Sequence, residues 1–236
     1  MFNEIWWFAL MIVTLFGIVL AYRFFGRAGL YAWIAISTVV ANIQVLKTIE
    51  IFGFVTAEGN IIYASIFLAM DILNENYGRK SARRGIMLGF FMLIAVTILM
   101  QMTLKFIPHE SDTMGPALDS IFSFFPRIVF ASLTAYLISQ YINVTLFQLI
   151  KSWTKERFLW MRNIFSTVVA QLVDNIIFTY IAFVGLFGIF GWGRVFEWSI
   201  ILQIFTVSIF MKYIVAVLDT PFLYYAKSIK KKVKDE

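Results

Sequence analysis

Residues 85–107 read GIMLGFFMLIAVTILMQMTLKFI, and this run decides the fold class. At 1.5 Å per residue, about 20 apolar residues in a helix match the roughly 30 Å hydrocarbon core of a bilayer. Just before it, Arg79, Lys80, Arg83 and Arg84 form a basic loop. Long apolar runs alternating with charged loops fill the rest of the chain. The runs are 4–22, 28–52, 60–77, 85–107, 121–150, 164–190 and 197–226. The third is short and carries Asp71, and the fifth and seventh are long enough to tilt or extend past the bilayer. The expected fold is all-α: a polytopic integral membrane helical bundle of six to seven transmembrane helices. It forms one transmembrane domain over residues 1–236, with an extra N-terminal helix at 4–22, a core at 28–226 and a basic cytoplasmic tail at 227–236. The first run starts acidic, with Asn3 and Glu4, and no small-x-small pattern precedes Arg23. It therefore reads as a retained helix rather than a cleaved signal.

Composition agrees. The 236 residues are 61% hydrophobic and only 14% charged, against about 45–50% and about 25% in soluble domains. There is no cysteine and a single histidine, His109, so thiolate metal sites, iron–sulfur clusters and cysteine nucleophiles are excluded and no cofactor is expected. The net charge of +6 would suggest nucleic acid in a soluble protein. Here 15 of the 20 basic residues fall in alternate loops, at 23–27, 79–84, 151–162 and 227–234. The opposite loops hold Glu58; Lys105, Glu110, Asp112 and Asp119; and Arg194 and Glu197. The positive-inside rule then puts the N-terminus outside and the C-terminus in the cytoplasm. The alternation holds at every loop only with seven spans. No nucleic-acid partner is needed to explain the charge; the tail is expected to be solvated, with anionic lipid within its reach.

The remaining ionisable groups fall inside the apolar runs: Lys47, Glu50, Asp71, Glu75, Asp174, Lys212 and Asp219. Each costs at least roughly 2.5–3.5 kcal/mol at the centre of a membrane helix unless it faces a partner or water. Asn42, Asp71, Asp174 and Lys212 sit at similar depth in four different runs. Asp71, Asn74 and Glu75 follow i, i+3, i+4 spacing and share one helix face, as do Gln171, Asp174 and Asn175. Interhelical polar contacts would explain any one of these residues, with Asp174 or Asp71 neutralised by Lys212 or Lys47. Two stripes together favour a polar cavity. Phe67, Tyr77, Tyr136, Phe178, Tyr180 and Tyr213 lie near them in sequence. Such a mixture suits a flat polar heterocycle, stacked on its faces and hydrogen-bonded at its edge. The candidate binding residues are Asn42, Lys47, Asp71, Asn74, Glu75, Gln171, Asp174, Asn175 and Lys212.

Residues 71–84, DILNENYGRKSARR, resemble the signature of the queuosine precursor transporter family, of the vitamin uptake transporter type. Asp71, Asn74, Glu75, Tyr77, Gly78, Ala82 and Arg83 fit it. Further matches are Ala41-Asn42 with Lys47, Arg127-Ile128, Ala131-Ser132, Ala135-Tyr136 and Gln171-Leu172-Val173-Asp174. Ile62-Tyr63 stands where family members often carry Phe-Pro, and the helix at 4–22 is additional to the family's usual six spans. The resemblance implies import of 7-deazaguanines (7-cyano-7-deazaguanine, 7-aminomethyl-7-deazaguanine or queuine) across a bacterial cytoplasmic membrane. A carboxylate can accept two hydrogen bonds from the adjacent N–H and amine of such a base. Asp174 is the first choice for that role and Asp71 the second. Asn42, Asn74, Gln171 and Asn175 could complete the edges, and Glu75 could attract an aminomethyl cation.

No G-x-x-x-x-G-K-[ST] loop is present, so the chain is not expected to hydrolyse ATP itself. An autonomous carrier, with Asp71 and Glu75 as proton-relay candidates, is the favoured reading. The alternatives are the substrate-binding component of a multi-subunit uptake pump and, behind it, an intramembrane enzyme using Asp71 and Glu75. The enzyme lacks a G-x-S-x-G elbow, an H-E-x-x-H motif and a histidine at membrane depth. The expected partners are the deazapurine and membrane lipid, with pairing of two copies left open.

Overall fold

The structure, a computed structural model, describes residues 2–123, 125–185 and 192–233. Its helices are α1 (Phe2–Gln44), α2 (Asn60–Tyr77), α3 (Arg79–Thr103), α4 (Gly115–Phe122), α5 (Phe125–Trp153), α6 (Leu159–Thr179), α7 (Trp198–Leu218) and α8 (Thr220–Ile229). A π-helical turn, Tyr180–Val184, extends α6, and a 3-10 turn, Lys230–Lys232, follows α8. Five helical stretches are long and apolar enough to cross a membrane: Phe2–Gln44, Arg79–Thr103, Gly115–Trp153, Leu159–Val184 and Trp198–Lys232. The chain is an all-α integral membrane bundle with one small addition described below.

Helix α1 is not straight. Gly26 leaves the helical region, with φ 56° and ψ −135°, a conformation open to glycine because it has no Cβ. The chain turns back there. A Cβ on Gly17 would lie 2.5 Å from the Trp33 ring, whereas 16 residues of straight helix would separate the two by about 24 Å. The two halves therefore lie side by side and correspond to the expected runs 4–22 and 28–52, with the reversal at Gly26 between them.

The second half ends at Gln44, eight residues before the expected boundary at 52. Thr48–Ile51 (β1) and Phe54–Ala57 (β2) then pair antiparallel, with Ile51 opposite Phe54. Phe52 and Gly53 both have positive φ, 53° and 79°, the backbone signature of a tight hairpin turn. The β-branched Thr48, Ile49, Ile51, Val55 and Thr56 favour this extended pairing. Apolar content alone could not separate it from a continued helix. Lys47 and Glu50 are consequently exposed on the hairpin rather than held within a membrane helix. The hairpin also holds the N-terminal end: Asn3 Nδ2 donates to the Glu50 carbonyl at 2.8 Å, and the Phe52 N–H donates to Glu4 Oε1 at 3.0 Å.

Helix α2 is the axis of the molecule. Every residue from Ala64 to Asn76 is buried, and α1, α3, α5, α7 and α8 pack around it. Helix α3 lies outside, with Met87, Phe91, Ile98, Leu99 and Met102 exposed, as a lipid-facing surface would be. Three further boundaries move. The expected run 121–150 divides into α4 and a longer α5 that reaches Trp153. The run 164–190 begins earlier, at Leu159, and its residues 186–190 lie outside the described residues. The run 197–226 breaks at Asp219, where Pro221 follows in the first turn of α8. The basic tail is not simply solvated: Lys227 lies in α8 and forms an ion pair with Glu75 at 2.6 Å. Lys234 lies outside the described residues.

Candidate functional site

The bundle contains a cavity of about 530 Å³, mouth included, between the hairpin, the C-terminal half of α1, and α2, α5, α6 and α7. Its apolar walls are Ala41, Val45, Ala57, Phe178, Phe183 and Ile204. Its polar surface comes from Asn42, Asn60, Tyr63, Ser132, Asp174, Asn175, Thr179, Ser208 and Lys212, with Glu58 at the hairpin side. Apolar walls with a few convergent polar groups are the usual form of a small-molecule site.

Asp174 is its electrostatic centre. The side chain is 2% exposed and Lys212 is 4% exposed; Lys212 Nζ donates to Asp174 Oδ2 at 3.0 Å. Tyr63 Oη and Ser139 Oγ donate to Asp174 Oδ1. Lys212 also reaches Asn175 Oδ1 at 3.4 Å and lies 5.0 Å from the centre of the Tyr63 ring. Asn175 Nδ2 in turn donates to the Phe205 carbonyl at 2.9 Å, tying α6 to α7. On the opposite wall, Ser132 Oγ donates to Asn42 Oδ1, and Asn42 Nδ2 to the Thr38 carbonyl at 2.7 Å. These hydrogen bonds fix the orientation of each polar group before any ligand arrives. The Asp174 carboxylate, the Lys212 ammonium and the amides of Asn42, Asn60 and Asn175 thus face one narrow space lined by two phenylalanines. Glu58, half-buried beside the mouth, is held above the usual carboxylate range by burial, against the opposing hydrogen bond from the Gly59 N–H and the charge of Lys47.

Asn42, Asp174, Asn175 and Lys212 are therefore brought together in the cavity. The other five candidates are placed elsewhere. Lys47 is exposed at the start of the hairpin and is not itself in the lining, although its carbonyl accepts from the N–H of the lining residue Glu58 at 2.8 Å. Gln171 is fully buried one turn from Asp174, outside the lining, and its amide has no hydrogen-bond partner among the described residues. Asp71, Asn74 and Glu75 lie deeper along α2. Asp71 accepts from Asn143 Nδ2 at 2.9 Å and Thr167 Oγ1 at 3.1 Å. Asn74 bonds to Gln148 and to the Val144 carbonyl. Glu75 pairs with Arg162 at 2.7 Å, Lys151 at 3.2 Å and Lys227 at 2.6 Å.

Among the aromatic candidates, Phe178 lines the cavity and Phe67 packs edge-on against Tyr63, 6.0 Å between centroids. Tyr77, Tyr136, Tyr180 and Tyr213 are not in its lining. The sequence did not single out Tyr63, Ser139, Ser208 or Phe183. A search for hydroxyls one or two helical turns from an in-membrane carboxylate would have flagged Ser139 no better than a dozen others.

The family model described as "Putative vitamin uptake transporter" matches residues 57–226. A "Probable queuosine precursor transporter" of Bacillus subtilis (strain 168) is 40% identical over 230 residues, covering 97% of this chain and 96% of that protein. A "Queuosine precursor transporter" of Escherichia coli (strain K12) is 28% identical over 144 residues, covering 61% of this chain and 62% of that protein. No solved structure matches.

Proposed function

The chain belongs to the vitamin uptake transporter family, among whose members its relatives are queuosine precursor transporters, and from that premise we propose that it imports a 7-deazaguanine precursor of queuosine across the bacterial inner membrane. The observation that carries this reading is the buried Asp174–Lys212 pair in a cavity walled by Phe178 and Phe183. A deazaguanine is flat, with hydrogen-bond donors adjacent on one edge and an acceptor beside them. The phenylalanines offer faces for stacking. Three of the roughly four lone-pair sites of Asp174 are in use, so it accepts one N–H from the base in this arrangement. Accepting two requires Tyr63 or Ser139 to withdraw. Lys212 uses two of its three N–H groups, and the third suits the carbonyl of the base.

The hairpin end of the bundle faces the exterior in this reading, because the basic loops that pair with Glu75 mark the cytoplasmic end. The cavity then opens outward and the Glu75 network closes the path inward. This is the arrangement of a carrier waiting for substrate, with no ATP-hydrolysing element in the chain.

The test is rescue of transfer RNA queuosine in a strain unable to make the precursor. Expression of the chain restores queuosine when a deazaguanine is supplied, and Asp174→Ala at equal membrane abundance does not. Full rescue by Asp174→Ala would remove Asp174 from recognition, and no rescue by the unaltered chain would reject the substrate class.

A further inference from the structure

The four acidic side chains in the helical core divide by their partners. Asp174 has Lys212, and Glu75 has Lys151, Arg162 and Lys227. Asp71 and Asp219 have no Lys, Arg or His within ion-pair distance among the described residues, although they are 0% and 1% exposed. Their donors are neutral: Asn143 and Thr167 for Asp71, and Asn163 Nδ2, at 2.9 Å, for Asp219. Their donors Thr167 and Asn163 stand one turn apart on α6, so the two carboxyls dock on neighbouring turns of that helix.

A second observation concerns the amides. Asn143 Oδ1 and Asn163 Oδ1 are buried and receive no hydrogen bond. An ionised carboxylate only accepts, so it can serve neither oxygen. A protonated carboxyl carries one O–H, the kind of donor that these buried oxygens lack. Charge points the same way. From α5 and α6 the groups facing Asp71 are Asn143 and Thr167, both neutral, and from the α7–α8 junction it is Asp219. Its own helix adds Glu75, already matched by three cations, and Lys212 of α7 is committed to Asp174. Helices α1 and α3 bring Ile34 and Gly85 against Met70 and Leu73 of α2.

We propose that Asp71 and Asp219 form a proton-binding site, separate from the substrate cavity, through which the carrier couples to a proton gradient. This rests on the carrier reading above. One proton adds to a carboxylate oxygen of the pair on the side of higher proton concentration and leaves on the other side as the carrier cycles; no electrons move. A sodium ion is the other small ligand that such oxygens take, and the transport measurement below separates the two. In this proposal Asp219 stands beside Asp71 where the sequence reading set Glu75, whose charge is matched by its ion pairs.

Two measurements on the purified full-length chain test this. Infrared titration without substrate reads the carbonyl stretch of a protonated buried carboxyl. The band is expected at neutral pH, reduced in Asp71→Asn and in Asp219→Asn, and retained in Asp71→Glu. In liposomes, deazaguanine entry should carry protons inward. Asp71→Asn should keep substrate exchange between equal pools and lose accumulation driven by a pH gradient. An unchanged band in both Asn variants overturns the proposal, as does wild-type uptake that moves no protons or follows sodium. A wild-type band of this origin with no deazaguanine flux would uphold the proton site and reject the substrate reading instead.

Discussion

At the scale of single residues, the Asp174–Lys212 pair makes the strongest commitments. Both charges have left water, so removing one partner strands the other. Lys212→Met is expected to cost about 3–5 kcal/mol of stability, read as a lower thermal midpoint in detergent. The double change Asp174→Asn with Lys212→Met should recover most of that loss, because neither charge then remains; an additive loss would refute the pairing. Glu58 makes a pH prediction. Its carboxyl titrates above its unfolded value because of burial, so the folded state binds more protons and stability falls as pH rises through that interval. Glu58→Gln should flatten this slope in melts taken across the acidic range, and an unchanged slope would contradict it. Asn42, Asp174, Asn175 and Lys212 were legible in the sequence because polar groups in apolar helices are costly enough to need a reason. Tyr63 was not, since tyrosine is at home in such helices. Asp71, Asn74 and Glu75 show why a third of the proposed cluster lies outside the cavity: helical spacing identifies a shared face, not how far along the helix the cavity extends.

At the scale of elements, apolar runs located the helices but not their ends. Residues 28–52 read as one span because strand and helix residues are equally apolar there, and the turn chemistry of Phe52-Gly53 was the available signal. Gly26 lies between the expected runs 4–22 and 28–52, and the reversal there is made by a single residue within α1 rather than by an open loop. The reversal is testable at a distance from it. Gly17→Leu would drive a side chain into the Trp33 ring, which is itself anchored by its Nε1 donating to Ser65 Oγ at 3.2 Å. Overpacking of this kind costs about 1–3 kcal/mol. A thermal midpoint equal to that of the unaltered chain would mean that the two halves of α1 do not touch as described. Helix α2 carries the opposite lesson. It was the least secure span by hydropathy, because it is surrounded by protein and can carry Asp71, Asn74 and Glu75 where a lipid-facing helix could not.

At the scale of the whole molecule, the four basic loops and the cavity occupy opposite ends of the bundle, which is what gives the carrier reading a direction. The absence of cysteine makes orientation simple to measure. In the background of the unaltered chain, Asn3→Cys should react with a membrane-impermeant thiol reagent on intact cells, and Ser228→Cys only after permeabilisation. The reverse pattern would place the cavity mouth in the cytoplasm and turn import into export. The loops' charge alternation is what carries the proposed orientation, and the hairpin and the Glu75 ion pairs add which end of the bundle lies nearer the cavity. The central claim is that the Asp174 cavity recognises a deazaguanine, and calorimetric titration of the purified chain with 7-cyano-7-deazaguanine tests it most directly. The account predicts saturable binding by the unaltered chain and its loss in Asp174→Asn with the fold intact by thermal melting. Equal binding by both proteins, or none by the unaltered chain, would contradict it.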